Sequence, residues 1–401
     1  MRQRQQSILV TRLACLALLV GLADFIFGAV YVTLMLDAGL DPERMGFGFF
    51  LMMAIATIVE IFSGDAGDRW GHRKLACYGL MLWGLALVIF VTVKTMPLLM
   101  LGSLTLWSIG QALYSGAPLS LVINALPPQA VTLRDKAVRW HSVAGWIGRS
   151  CGAAAAFFGL KVVQPEHLVG SAGVILIAAA MWLALTWPES KRQAPQSGFA
   201  GFLGRAAMGW TWDVTSALYI SMIAAGLLSI VLFAWQPMLN EVAGIGIEIN
   251  GLSLLTMTAC AALGAWCSSW KLSDAQLNLV LVVGLCMVSL GFIVFGLYPG
   301  AVTAIVAIVL TEVVVSFALT KTAIIAHQNF VDEHRNLQWS IFSAAIGMAM
   351  AITDLIFGVL WSAYGITDAV LCIGLGFGLA VVVYVVIRFF TVGMRRSDRQ
   401  L

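Results

Sequence analysis

Apolar residues in this chain come in long unbroken runs. They show neither the alternation of a half-buried strand nor the narrow stripe of a helix on a soluble core. A helix needs about 20 mostly apolar residues to cross a bilayer. Runs of that kind, bounded by charged or Pro/Gly-marked breaks, occupy 12–36, 45–63, 75–93, 97–123, 138–160, 168–187, 214–239, 248–270, 276–297, 301–326, 337–360 and 366–390. The pattern predicts an all-α membrane protein of twelve transmembrane helices. Its shortest breaks fall near Pro97 and Pro299, and its longest polar break runs from Pro188 to Asp213. That break divides the chain into an N-terminal six-helix bundle (1–187), a cytoplasmic central loop (188–213) and a C-terminal six-helix bundle (214–401). Trp210 and Trp212 close the break, as interfacial residues approaching the seventh span.

Composition supports the membrane reading. Sixty per cent of the residues are hydrophobic and 11% charged, against roughly 25% charged in a soluble domain. The apolar run after Arg2, Arg4 and Arg12 continues to about Leu36. A signal-peptide core of about 7–15 residues is shorter, so this segment reads as the first span. Placing both termini in the cytoplasm puts eighteen Lys and Arg residues inside and only Arg44, Lys94 and Lys161 outside, as the positive-inside rule requires. Localisation in the cytoplasmic (inner) membrane is therefore expected. The net charge of +3 comes without a basic stripe, so no nucleic-acid partner is expected. The seven cysteines form no CxxC pair and lie in apolar runs, where they pack as small hydrophobes. Neither a metal site nor a cofactor is expected.

The halves echo each other weakly: "RDKAVRWHSVAGWIG" enters the fifth span and "HRNLQWSIFSAAIG" the eleventh. Repeats of this kind accompany transporters whose halves rock about a midplane site. Between spans two and three lies "GDAGDRWGHRK", with Gly64, Asp68, Arg69, Gly71, Arg73 and Lys74 in fixed spacing. Glycines there permit tight turning and close approach, the cations anchor an inner loop, and Asp68 suits a positive helix N-terminus. This segment resembles motif A of the major facilitator superfamily, and its lead residue Glu60 resembles that of one subgroup, with Phe62 in place of a proline. The resemblance implies two six-helix bundles related by a pseudo-twofold axis. It also implies a gating latch between the motif and the eleventh span, with Glu60 part of the latch. Departures are equally visible. Ala112 stands where many exporters carry an arginine four residues before Gly116, Arg149 replaces the proline of a span-five glycine motif that keeps Gly148 and Gly152, and the second copy of motif A near "SSWKLSDAQ" has decayed. They weaken the expectation of a standard proton antiporter.

Ionisable residues inside a span are costly and mark function by default. Asp24 and Arg149 each lie about 17 Å along an inside-to-outside span by helix rise. With spans one and five adjacent by resemblance, the two are expected to face each other or a shared cavity, as a switchable pair or as a fixed structural one. Gly21, Gly28 and Tyr31 share the side of Asp24. In the second half Glu312 is the leading site residue. Asp354 is a site or interface candidate, and Lys321 snorkels or compensates substrate charge. Gln111, Tyr114, Asn124, Trp235, Gln236 and Asn240 are candidate cavity residues, while Pro118 and Pro237 bend spans four and seven. His141 and His327 read as loop-edge residues.

The leading expectation is a monomeric secondary transporter that exports a drug-like or natural-product-like small molecule by alternating access, with protons as a coupling partner. Uptake of a small anionic metabolite, lipid flipping and a membrane sensor or scaffold are the alternatives. No G-x-x-x-x-G-K-[ST], HExxH or GxSxG motif occurs, so neither ATP drive nor enzymatic chemistry is expected.

Overall fold

The computed structural model describes residues 2–93, 95–127, 129–188, 210–330 and 335–397. Most of the central break, and within the motif Gly64, Asp68 and Arg69 beyond their helical backbone, lie outside what it describes. The first eight helices are α1 (Arg2–Gly28), α2 (Tyr31–Asp37), α3 (Pro42–Trp70), α4 (His72–Thr92), α5 (Pro97–Tyr114), α6 (Ala117–Ala125), α7 (Val131–Gly159) and α8 (Pro165–Thr186). After the break come α9 (Trp212–Pro237), a π turn (Met238–Val242), a 3-10 turn (Ile247–Ile249), α10 (Asn250–Cys267), α11 (Asp274–Leu297), α12 (Ala301–Asn329), α13 (Arg335–Tyr364) and α14 (Ile366–Ser397). Among the described residues there is no strand.

Every one of the twelve apolar runs is helical. Ten helical segments, with α1 and α2 counted together, are long and apolar enough to cross a membrane. The fourth run falls short because it is split into α5 and α6, and the fifth because α7 carries charges, Arg149 among them. Local chemistry sets the starts. Pro42, Pro97, Pro118 and Pro165 stand at the first or second helical position, where the missing N–H costs nothing. The Asp41 carboxylate accepts from the Arg44 N–H at 2.9 Å, and Ser273 and Gln276 form a reciprocal capping box.

The motif between spans two and three is not a loop. α3 continues through it to Trp70, and the whole connection to α4 is Gly71, at φ 98° and ψ 129°. Glycines in a helix weaken it but do not end it; only the positive φ at Gly71 does. Gly67, one turn earlier, lets the His72 ring fold back, because a Cβ there would meet His72 Nδ1 at 2.5 Å. Gly71→Ala is expected to destabilise the protein by about 1–3 kcal/mol through backbone strain, read as a lower midpoint of thermal unfolding. Gly102→Ala, whose Cβ meets nothing within 4 Å, should leave that midpoint within error or raise it.

Arg73 of the motif caps another helix. Its Nη1 donates to the Trp187 carbonyl at 2.8 Å and the Ala184 carbonyl at 3.5 Å, and Arg12 Nη1 donates to the Thr186 carbonyl. Two cations therefore close the carboxyl end of α8, where unpaired carbonyls and the helix dipole both favour positive charge. Arg73→Gln is expected to cost about 0.5–1 kcal/mol, and Arg73→Gln with Arg12→Gln more than the sum of the singles, by a double-mutant cycle on thermal unfolding.

Backbone proximity divides the chain into a unit of residues 1–198 with 246–255 and a unit of 199–245 with 256–401. This differs from the six-plus-six reading in one segment, 246–255, which is tied to the first unit. Within that unit the Asn250 amide donates to the Ala29 carbonyl at 3.0 Å, in the turn between α1 and α2.

Candidate functional site

Two crossings in the first unit shape a cavity, and glycine governs both. Where α1 meets α7, a Cβ at Gly148 would lie 2.1 Å from the Leu18 carbonyl oxygen, one at Gly152 2.3 Å from that of Leu22, and one at Gly21 2.5 Å from that of Gly145. Backbones this close require residues with no side chain, the usual device where apolar surroundings supply no hydrophobic drive between helices. The crossing sets Asp24 opposite Arg149. The second crossing joins α4 and α5: a Cβ at Gly79 would meet the Gly110 oxygen at 2.7 Å, and one at Gly110 the Trp83 nitrogen at 2.6 Å. It seats Trp83 against Tyr114 edge to face, with centroids 6.1 Å apart.

Between these pairs lies a cavity of about 330 Å³, lined by Asp24, Trp83, Gln111, Tyr114, Ser115, His141, Ser142, Trp146 and Arg149 together with Ala17, Val20, Gly21 and Gly145. Its volume is at the lower end of the range for small-molecule sites. Asp24 Oδ2 is 3.9 Å from Arg149 Nε: an ion pair, but too long for a hydrogen bond. The guanidinium lies 4.9 Å from the Trp146 ring and 5.7 Å from that of Phe25, within cation–π range. Four polar atoms of residues that line the cavity, Trp83 Nε1, Tyr114 Oη, His141 Nδ1 and Arg149 Nε, are themselves enclosed and have no hydrogen-bond partner among the described residues. Leaving such a group unpaired costs about 1–3 kcal/mol.

The break in span four borders the cavity. α5 ends at Tyr114, Gly116 adopts φ 57°, and α6 restarts with Pro118 at its second position. Pro118 therefore sits at a helix start instead of bending a continuous span. The Ser115 hydroxyl on the cavity wall donates to Glu60 Oε1 at 3.4 Å, which joins α3, one turn before the motif, to the cavity edge.

The other candidates are placed elsewhere. Tyr31 belongs to an aromatic cluster with Phe27 at 5.4 Å and Phe49 at 5.9 Å. In the second unit Trp235 and Gln236 are fully buried in α9, and the Asn240 amide donates to the Ile245 carbonyl at 2.8 Å. Asp354 is buried and accepts from the Ser229 hydroxyl, while Glu312 is buried in α12 beside Cys260. None of these lines the first-unit cavity or the smaller one of about 230 Å³ around Ser216, Asn278, Tyr384 and Arg388. Lys321 donates to the Trp270 carbonyl at 3.0 Å, just past the end of α10. His327 is exposed near the end of α12 and stacks on Trp339 at 4.3 Å, in keeping with a helix-end residue. His141, also read as a loop-edge residue, lines the cavity, because α7 starts at Val131 and carries "RDKAVRW" as helix. Trp83, Ser115, Ser142 and Trp146 were not singled out from sequence. Gly79 and Gly110, the only clue to the α4–α5 crossing, look like ordinary span glycines.

A family model described as Major Facilitator Superfamily matches residues 13–352. No curated protein matches the chain. Among solved structures, a bacterial homologue of the human lysosomal transporter Spinster, inward-facing and occupied, superposes with a TM-score of 0.71 at 14% identity over 95% of this chain and 96% of that one. The nucleoside transporter NupG gives 0.73 at 13% identity over 94% and 98%. A D-xylose-proton symporter gives 0.67 at 15% identity over 93% and 96%. At these identities the likeness establishes the fold.

Proposed function

The chain belongs to the major facilitator superfamily and is a multi-pass secondary transporter; on that footing we propose that it exports a small amphipathic organic solute across the cytoplasmic membrane, with both termini inside. The single observation that carries the substrate site is the first-unit cavity, which Asp24 and Arg149 line together with the aromatic residues Trp83, Tyr114 and Trp146. Aromatic walls with a few convergent polar groups suit an amphipathic organic ligand. The Glu60 lead into motif A supports export over uptake. Motif A acts as the gate in this reading, and the link from Ser115 to Glu60 gives the cavity a route to it. A proton exchanges against the solute at the intramembrane carboxylates, Asp24 first.

The test is flux. Protein in proteoliposomes, with a proton gradient imposed, is offered a panel of labelled amphipathic cations, anions and zwitterions. The expected result is uncoupler-sensitive movement of at least one panel member, lost when Gly145→Trp fills the cavity. Flux through the filled variant equal to wild type, with both proteins folded, would remove the cavity from the pathway.

A further inference from the structure

We propose that the first-unit cavity binds a small zwitterion, its carboxylate on the Arg149 guanidinium and its ammonium group on the Asp24 carboxylate, with an aromatic or apolar portion against Trp146. The proposal rests on the transporter reading above and specifies the class of its substrate.

Two observations converge. Asp24 and Arg149 are the two formally charged residues on the cavity wall. They sit 3.9 Å apart without a hydrogen bond, and their side chains are 19% and 38% exposed, so each keeps binding capacity directed elsewhere. Asp24 lies on the Nε side of the guanidinium, and neither Nη group has a hydrogen-bond partner among the described residues. That leaves the end-on fork, the geometry that takes a carboxylate by two parallel bonds. The second is charge balance. With one cation and one anion on the wall, a singly charged anion would bring its charge beside Asp24, and a singly charged cation beside Arg149. A ligand carrying both signs satisfies each without leaving a like-charge contact in a medium of low dielectric constant. Trp146, already 4.9 Å from the guanidinium, offers the apolar portion an aromatic face.

Three probes of one skeleton separate the possibilities: L-phenylalanine, phenethylamine and 3-phenylpropanoate, titrated against the purified full-length protein with quenching of tryptophan fluorescence as readout. Phenylalanine is expected to bind at least tenfold more tightly than either singly charged analogue. Arg149→Gln should abolish its advantage over phenethylamine and keep that over phenylpropanoate; Asp24→Asn should do the reverse. Arg149→Lys, which keeps the charge but loses the fork, should weaken phenylalanine and preserve the order of the three. Equal binding of all three, preference for a singly charged probe, or no binding by a protein that retains its cooperative thermal transition would overturn the zwitterion assignment. Phenylalanine counterflow in proteoliposomes tells the two proposals apart. Movement of a panel cation or anion alone leaves the transporter reading standing and sinks the zwitterion. Binding of phenylalanine without movement of any solute leaves the site standing and sinks the transporter reading.

Discussion

Gly148→Ala is expected to lower the midpoint of thermal unfolding by several degrees, and Gly148→Leu to prevent recovery of folded protein. The obstacle to a Cβ at this position is the Leu18 carbonyl oxygen at 2.1 Å, with the Leu18 carbon atoms at 2.8 Å behind it. A clash with the tip of a side chain relaxes by a rotamer change. A clash with backbone relaxes only if α1 and α7 separate, which opens the Gly21 and Gly152 contacts as well. Overpacking of this kind costs about 1–3 kcal/mol for a methyl group, and roughly 1 kcal/mol moves the midpoint by about 2–4 °C in a chain of 150–250 residues. Gly145→Ala is the control, since its Cβ meets nothing within 4 Å on the same helix. An unchanged midpoint in Gly148→Ala would mean that the two helices are not packed as described.

The second large effect is on transport. Asp24→Asn and Arg149→Ala are each expected to reduce solute flux by about 10–100-fold, equivalent to about 1.4–2.8 kcal/mol, while thermal unfolding stays close to wild type. The two readouts separate a working pair from a structural one. A pair 3.9 Å apart makes no hydrogen bond, so removing either partner breaks no direct bond between α1 and α7, and the larger loss is expected in flux. A large loss of stability with flux per folded molecule preserved would make the pair structural, and full activity of both variants would remove it from the mechanism.

Much of this site was legible before any coordinates. Asp24 and Arg149 stand out because an ionised group in a span is costly, and their equal depth follows from helix rise alone. Gln111 and Tyr114 line the cavity with them. What escaped notice escaped for identifiable reasons. His141 reads as a loop-edge residue because it lies near the cytoplasmic end of its span, yet the charged residues before it are good helix formers, and nothing in that stretch carries the positive φ that would end a helix. The motif at 64–70 reads as a loop on its charges and glycines, where only Gly71 breaks the ladder. Trp83 looked like one more aromatic in an apolar run; only its crossing partner Gly110 shows where it points. In the second unit Trp235 and Gln236 stand out in sequence as aromatic and polar residues beside a proline, and both are fully buried in α9. Sequence periodicity says which residues share a helix face. It does not say which face meets a neighbour.

The contact between α1 and α7 also bears on how the protein is made. α7 is among the least apolar of the helices, and a lone arginine at mid-helix adds about 2.5–3.5 kcal/mol to the cost of leaving a helix in lipid. Asp24 and the aromatic rings of Phe25 and Trp146 offset that burden only once α1 is alongside. α1 emerges from the ribosome more than a hundred residues earlier, so its acidic partner is already in the bilayer when Arg149 arrives. The same glycines that shape the cavity thus make α1 a template for the insertion of α7, and changes at Gly148 should appear first as failed biogenesis in the cell, before any purified protein is available to assay.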